Sequence, residues 1–270
     1  MGAQDNGEIA FWNAAASNYD SLSRHGIRSA QELDAWRSAL AEHLGSAQLA
    51  VLDVGTGTGS LALLAAELGH NLVAVDLSEP MLNEARSKAT ALRRTVDFRQ
   101  DDLTTLLTVE DGTLDIIMSR HVLWTLTDPL RTIQLWKRKL RPGGRLLAID
   151  GCWSAGGWPS RLLRRIGLSL ARIQGAPHEH GASYYDQLAT GSLPFRRIST
   201  YEPVTAVFQE AGLTGVGGKW LTAVDIAERE AMSVAERWIE QGRRFSVWGD
   251  KPLDNATATR DERPSHGQFT

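Results

Sequence analysis

The chain has 270 residues, 42% of them hydrophobic, a net charge of −3 and a pI near 6.2. That is enough to bury one sizeable α/β core, and with no basic run to track a phosphate backbone, nucleic acid is not an expected partner. No segment reaches the roughly 18 apolar residues of a membrane span. Cys152, the single cysteine, excludes an intrachain disulfide and fits a reducing, cytoplasmic setting.

The N-terminus lacks the basic-then-apolar pattern of a signal peptide. Residues 8–17 have helical composition, with Ile9, Phe11, Trp12 and Ala16 on one face. Asn18-Tyr19-Asp20 breaks that run. Residues 29–44 read as a second amphipathic helix, opened by Ser29 with Glu32 three positions on and closed by Gly45. Five apolar runs follow: 49–54, 71–75, 95–98, 114–118 and 145–149. Helical segments at 60–68, 79–93 and 129–140 separate them, with Arg141-Pro142-Gly143-Gly144 as a turn into the fifth run. Strands alternating with helices of this length predict βαβ units and a parallel sheet. Beyond Asp150 the pattern loosens into an insertion with a helix near 159–173. A helix over 202–211, a glycine-rich strand at 213–221, one long helix over 224–241 and a closing strand at 244–248 come next. The expected organisation is a helical lid over 1–48, a cofactor-binding core over 49–150 and a cap over the acceptor site at 151–200. The rest of the core follows at 201–250, with a flexible tail at 251–270.

The stretch 49–60 carries the chemistry. A buried strand ends in Asp53, then Gly55, Gly57 and Gly59 alternate with Thr56 and Thr58 ahead of a helix. Glycines there let the backbone meet a ligand, at a helix N-terminus with free N–H groups. A dinucleotide site wants G-x-G-x-x-G. Here the spacing is G-x-G-x-G, and the Asp53 carboxylate is a poor neighbour for pyrophosphate. It suits a cationic ligand. Asp76, ending the second strand, fits two ribose hydroxyls; Asp102, after the third, fits an adenine amino group. Together these acids describe a cationic adenosine ligand without phosphates.

The chain resembles the class I S-adenosylmethionine-dependent methyltransferases, of bacterial small-molecule (natural-product) type. The resemblance rests on Val51–Gly59, on Ala74–Leu82, on Phe98–Leu103, on Leu114–Leu126 and on Leu140–Leu147. Phe11-Trp12 with Tyr19-Asp20 resembles the family's N-terminal lid. It implies a doubly wound, Rossmann-like, seven-stranded and mostly parallel sheet with a helical lid and an inserted cap. It implies S-adenosylmethionine as cofactor and S-adenosylhomocysteine as product. The cofactor set it implies is Asp53, Gly55, Thr56, Gly57, Gly59, Asp76, Leu77, Met81, Asp101, Asp102, Leu103, Ser119 and Arg120, of which Arg120 is open to either the methionine carboxylate or the acceptor. Asp101 stands where the family usually has glycine, and Asp102 takes the adenine position.

Methyl transfer from a sulfonium needs alignment above all, with a base where a hydroxyl or amine is methylated. His121, directly after the fourth strand, is the candidate base, its ordinary pKa near 6.5 suiting the task; Tyr19 is the second candidate catalytic group. Trp12, His121, Trp153, His180, Tyr184 and Tyr185 are expected on the substrate side, with Trp158 and Phe195 in the same aromatic pocket. That favours a small aromatic acceptor, including an indole-containing one, methylated at C, N or O. The pair His178 and His180 would need further ligands to hold a metal and none stands out, so no metal is expected. Partners are expected to be a small-molecule acceptor, with no nucleic acid and no membrane, and a homodimer is among the expected states. Two rival readings stand beside this one: an NAD(P)-dependent oxidoreductase and a non-catalytic cofactor-binding regulatory partner.

Overall fold

The structure is a computed structural model that describes residues 6–21, 24–152, 158–173 and 193–253. Its centre is a seven-stranded sheet in the order β3-β2-β1-β4-β5-β7-β6. In chain order the strands are β1 Ala50–Val54, β2 Asn71–Asp76, β3 Asp97–Gln100, β4 Leu114–Arg120, β5 Leu140–Cys152, β6 Thr214–Trp220 and β7 Arg243–Asp250. β1 to β5 pair in parallel, and β7 runs antiparallel to both β5 and β6. The expected turn at 141–144 is a loop-out within β5: Leu140 pairs with Leu114 and Arg145 with Ile116.

The helices are α1 Asn6–Ala15, α2 Ala30–Leu44, α3 Ser60–Glu67, α4 Glu79–Leu92, α5 Pro129–Lys139, α6 Trp158–Ile173, α7 Glu202–Glu210, α8 Thr222–Ala231 and α9 Val234–Ile239. Their ends are chemically marked. Ser29, Ser78 and Asp128 each accept a backbone N–H from the first turn of α2, α4 and α5. The long helix expected over 224–241 is two. Met232 is extended, and Ser233 starts α9 with a reciprocal capping box to Glu236.

Strand side chains alternate between two cores, as the period-2 pleat requires. Val51, Ile116, Met118, Leu147 and Ile149 face Trp36 and Leu40 of α2, Leu61 and Leu64 of α3 and Val224 of α8. Leu52, Val54, Ile117, Leu146 and Ala148 face Trp136 of α5 and Val204 and Phe208 of α7. Both faces are therefore covered, which explains the near-continuous apolar runs of β1 and β4. Phe195 is part of this second core at 3% exposure and not of an aromatic pocket. The carboxyl ends of β1, β2, β3 and β4 share one edge of the sheet, where open α/β sheets bind ligands.

Candidate active site

A cleft opens at that edge, about 570 Å³ counted to its open mouth. The turn after β1 forms its floor. Gly55 and Gly57 line it at φ +67° and +55°. A Cβ on Gly55 would sit 2.5 Å from Val122 Cγ2, so only glycine fits. A Cβ on Gly57 would project toward Tyr19, whose ring stands 3.7 Å away across the gap. Asp76 forms the next wall. Its carboxylate accepts from Gly57 N–H at 2.7 Å and Ser78 N–H at 2.9 Å, which fixes it at the mouth of the turn. Leu77, Met81 and Leu103 add apolar surface beside it.

Asp101 lines the cleft and Asp102 does not. Asp101 accepts from the N–H groups of Asp102, Leu107 and Thr108 and from the Thr108 hydroxyl. Asp102 is spent on the turn that follows, taking both the N–H and the hydroxyl of Thr104 at 2.7 Å. Of the two acids in this turn, Asp101 is the one that faces the cleft. Asp53, Thr56, Gly59 and Ser119 also lie off the lining. Asp53 sits behind the turn, 2% exposed, bonded by the Thr56 hydroxyl at 2.7 Å. Burial pushes its carboxyl up to about 7.

The N-terminal segment roofs the cleft. Trp12 and Tyr19 face it edge to face, centroids 6.2 Å apart. Asp20 accepts the Thr58 hydroxyl at 2.6 Å and pairs with Lys88, so the lid is tied to the glycine turn. Ser78 Oγ donates to Asn13 Oδ1 at 2.7 Å. Burial raises the Tyr19 phenol to about 12, which keeps it a proton donor. Glu8, Val122 and Thr125 line the cleft without having been expected there. Glu8 stands four residues before Trp12, and that helical spacing was the available signal. Trp153, His180, Tyr184 and Tyr185 lie outside the described residues.

His121 lines the cleft at φ +60°, but not as an imidazole of ordinary basicity. Burial, then Arg244 and Arg120, push its pKa well below 6.5. Arg244 Nη1 meets its Nε2. A guanidinium has only donors, so that nitrogen accepts and the neutral ring carries its proton on Nδ1. The lone pair a base would need is already engaged. Behind His121 is a buried ionic nest. Arg244 Nε reaches both oxygens of Glu228 at 2.7 and 2.8 Å, and its Nη2 donates to Arg24 O. Arg24 stands 3.8–3.9 Å from Asp225, Glu228 and Glu240.

Residues 52–148 match the family described as methyltransferase domain. An O-methyltransferase of ubiquinone biosynthesis from Xanthomonas oryzae is 33% identical over 96 residues, 36% of this chain and 40% of that protein. Demethylmenaquinone methyltransferase of Lactococcus lactis is 28% identical over 144 residues, 52% of this chain and 56% of that one. The chain thus spans about half or less of the curated relatives it matches. Among solved structures, phosphoethanolamine N-methyltransferase 2 of Haemonchus contortus, bound to S-adenosyl-L-methionine, superposes with a TM-score of 0.58 at 17% identity, covering 80% of this chain and 52% of that one. The [4+2]-cyclase SpnF superposes at 0.57 and 18% identity, covering 91% and 92%. The sheet is Rossmann-like, and residues 52–148 are similar to a methyltransferase domain. The glycine turn with Asp76 at its mouth has groups that suit S-adenosylmethionine, the ligand of the superposed Haemonchus contortus structure. Among the described residues no helix is long and apolar enough to cross a membrane.

Proposed function

We propose that the protein transfers a methyl group from S-adenosylmethionine to a small aromatic acceptor. The observation that carries this reading is the single cleft shared by the glycine turn, Asp76 and the aromatic lid. Gly55 and Gly57 hold the methionine and ribose part, Asp76 the ribose hydroxyls, and Leu77, Met81, Asp101 and Leu103 the adenine. Asp53, Thr56, Gly59 and Ser119 shape the turn from behind. The cofactor supplies a methyl group already activated on a sulfonium. The chain's own residues orient the acceptor and exclude water, which is where most of the rate can come from.

The acceptor is flat and aromatic, an indole-containing natural product or a phenol, methylated at C, N or O. Trp12 and Tyr19 support this, and so do the relatives named for ubiquinone and demethylmenaquinone chemistry. Trp153, His180, Tyr184 and Tyr185 of the cap complete the substrate side. His121 acts as a positioning group rather than a base, and Tyr19 as a hydroxyl donor in the roof. Methyl-labelled S-adenosylmethionine, incubated with indoles, phenols and amines, tests the reading: label passes to an aromatic acceptor with S-adenosylhomocysteine released. Asp76→Ala weakens S-adenosylhomocysteine binding at least about tenfold by calorimetry, one charge-assisted pair being worth that much. Binding without transfer to any acceptor overturns the reading.

A further inference from the structure

Arg120 ends β4 and lines the cleft beside His121. Its Nη2 donates to His25 O at 2.7 Å, and its guanidinium lies 5.2 Å from the centroid of the buried Trp36 ring. Arg244 leans on that same ring at 5.7 Å. The two cations differ in one respect. Arg244 has Glu228, whereas Arg120 makes no ion pair among the described residues. A desolvated guanidinium beside another cation is costly without an anion. Burial and Arg244 disfavour its charged form, and Tyr19, Glu228 and Asp53 only partly offset them.

We propose that Arg120 is the anion-binding end of the acceptor site and that the acceptor carries a carboxylate. This rests on the methyltransferase reading above. The sheet order separates the two ligand ends: Asp76 ends β2 and Asp101 follows β3 on one side of β1, and Arg120 ends β4 on the other. A guanidinium offers five N–H donors in a fork that matches a carboxylate, and one of them is spent on His25. Among the described residues Arg120 is the one cation lining the cleft, and a single guanidinium matches a monoanion better than a phosphate dianion. Trp12 and Tyr19 then cover the aromatic body of an aromatic acid.

The test uses the full chain saturated with S-adenosylhomocysteine, whose own binding checks the methyltransferase reading separately. Two matched pairs are titrated by calorimetry: indole-3-acetate against indole-3-acetamide, and 4-hydroxybenzoate against 4-hydroxybenzamide. At least one acid binds about tenfold or more tighter than its amide, as expected for one charge-assisted pair. Arg120→Gln abolishes that preference while S-adenosylhomocysteine affinity stays within about twofold, and Arg120→Lys keeps part of it. The acid–amide comparison on the unaltered protein needs no variant to fold. Equal binding of acid and amide, or binding of neither, overturns the proposal. So does an Arg120→Gln variant that loses S-adenosylhomocysteine and keeps the acid preference, because the guanidinium would then serve the cofactor's carboxylate.

Discussion

At Gly55 two constraints meet in one residue. Its φ of +67° costs any other residue backbone strain, and an added methyl would strike Val122 Cγ2. Gly55→Ala should therefore destabilise the fold by roughly 2–4 kcal/mol in urea titration. Adding Val122→Ala should recover the steric part and leave the backbone part. Full recovery would mean that strain at Gly55 is negligible. His121 teaches the opposite lesson about legibility. Its place at the end of β4 was readable from the sequence, but its tautomer was not. Arg244, which decides it, lies 123 residues away in the chain. Asp101 and Asp102 show the same limit within one turn. Either could face the cleft, and the hydroxyl of Thr104 captures Asp102.

At the scale of elements, the nest around Arg24 and Arg244 joins parts far apart in sequence. Arg24 belongs to the connection behind the lid, Asp225 and Glu228 to α8, Glu240 follows α9, and Arg244 is on β7. Glu228 is 2% exposed and bonds Arg244 through both oxygens. Glu228→Gln leaves two buried guanidiniums undercompensated and should cost about 3 kcal/mol. Chemical denaturation measures this, and a variant as stable as the parent would show that water already reaches the nest. Sequence periodicity marked a helix over 224–241 and a strand over 244–248 as separate features. Nothing in periodicity says that their charges meet, because ion pairing depends on tertiary placement.

For the whole molecule, buried titrating groups set the pH dependence. Burial, Arg120 and Arg244 push His25 down to about 3, and burial with Arg145 pushes His43 to about 4. The unfolded chain protonates these rings near 6.5 and the native sites refuse the proton, so they remove stability as pH falls from about 6.5 toward 3. Asp53 and Asp150 act in the opposite sense. Burial lifts both to about 7. The native state then holds protons that the unfolded chain has lost, and stability falls as pH rises from about 4 to 7. His25→Asn should flatten the loss of melting temperature between pH 7 and pH 5 relative to the parent. An unchanged slope would place the acid sensitivity elsewhere. The sheet's parallel half and both cores were legible because burial on two faces writes itself as apolar runs. The break between α8 and α9 was less so: only Ser233 and Glu236 marked it, within an otherwise helical composition.

The position of β7 has a consequence for how the molecule is made. It is the final strand in chain order, yet it sits between β5 and β6 inside the sheet. As the chain emerges from the ribosome, β1 to β5 can assemble the cofactor turn while one side of β5 still waits for its neighbour. Arg244 arrives with that neighbour, and with it the contacts that hold Arg24 and orient His121. Until β7 is in place those contacts are unmade, whereas the glycine turn after β1 and Asp76 at the end of β2 draw only on chain already synthesised.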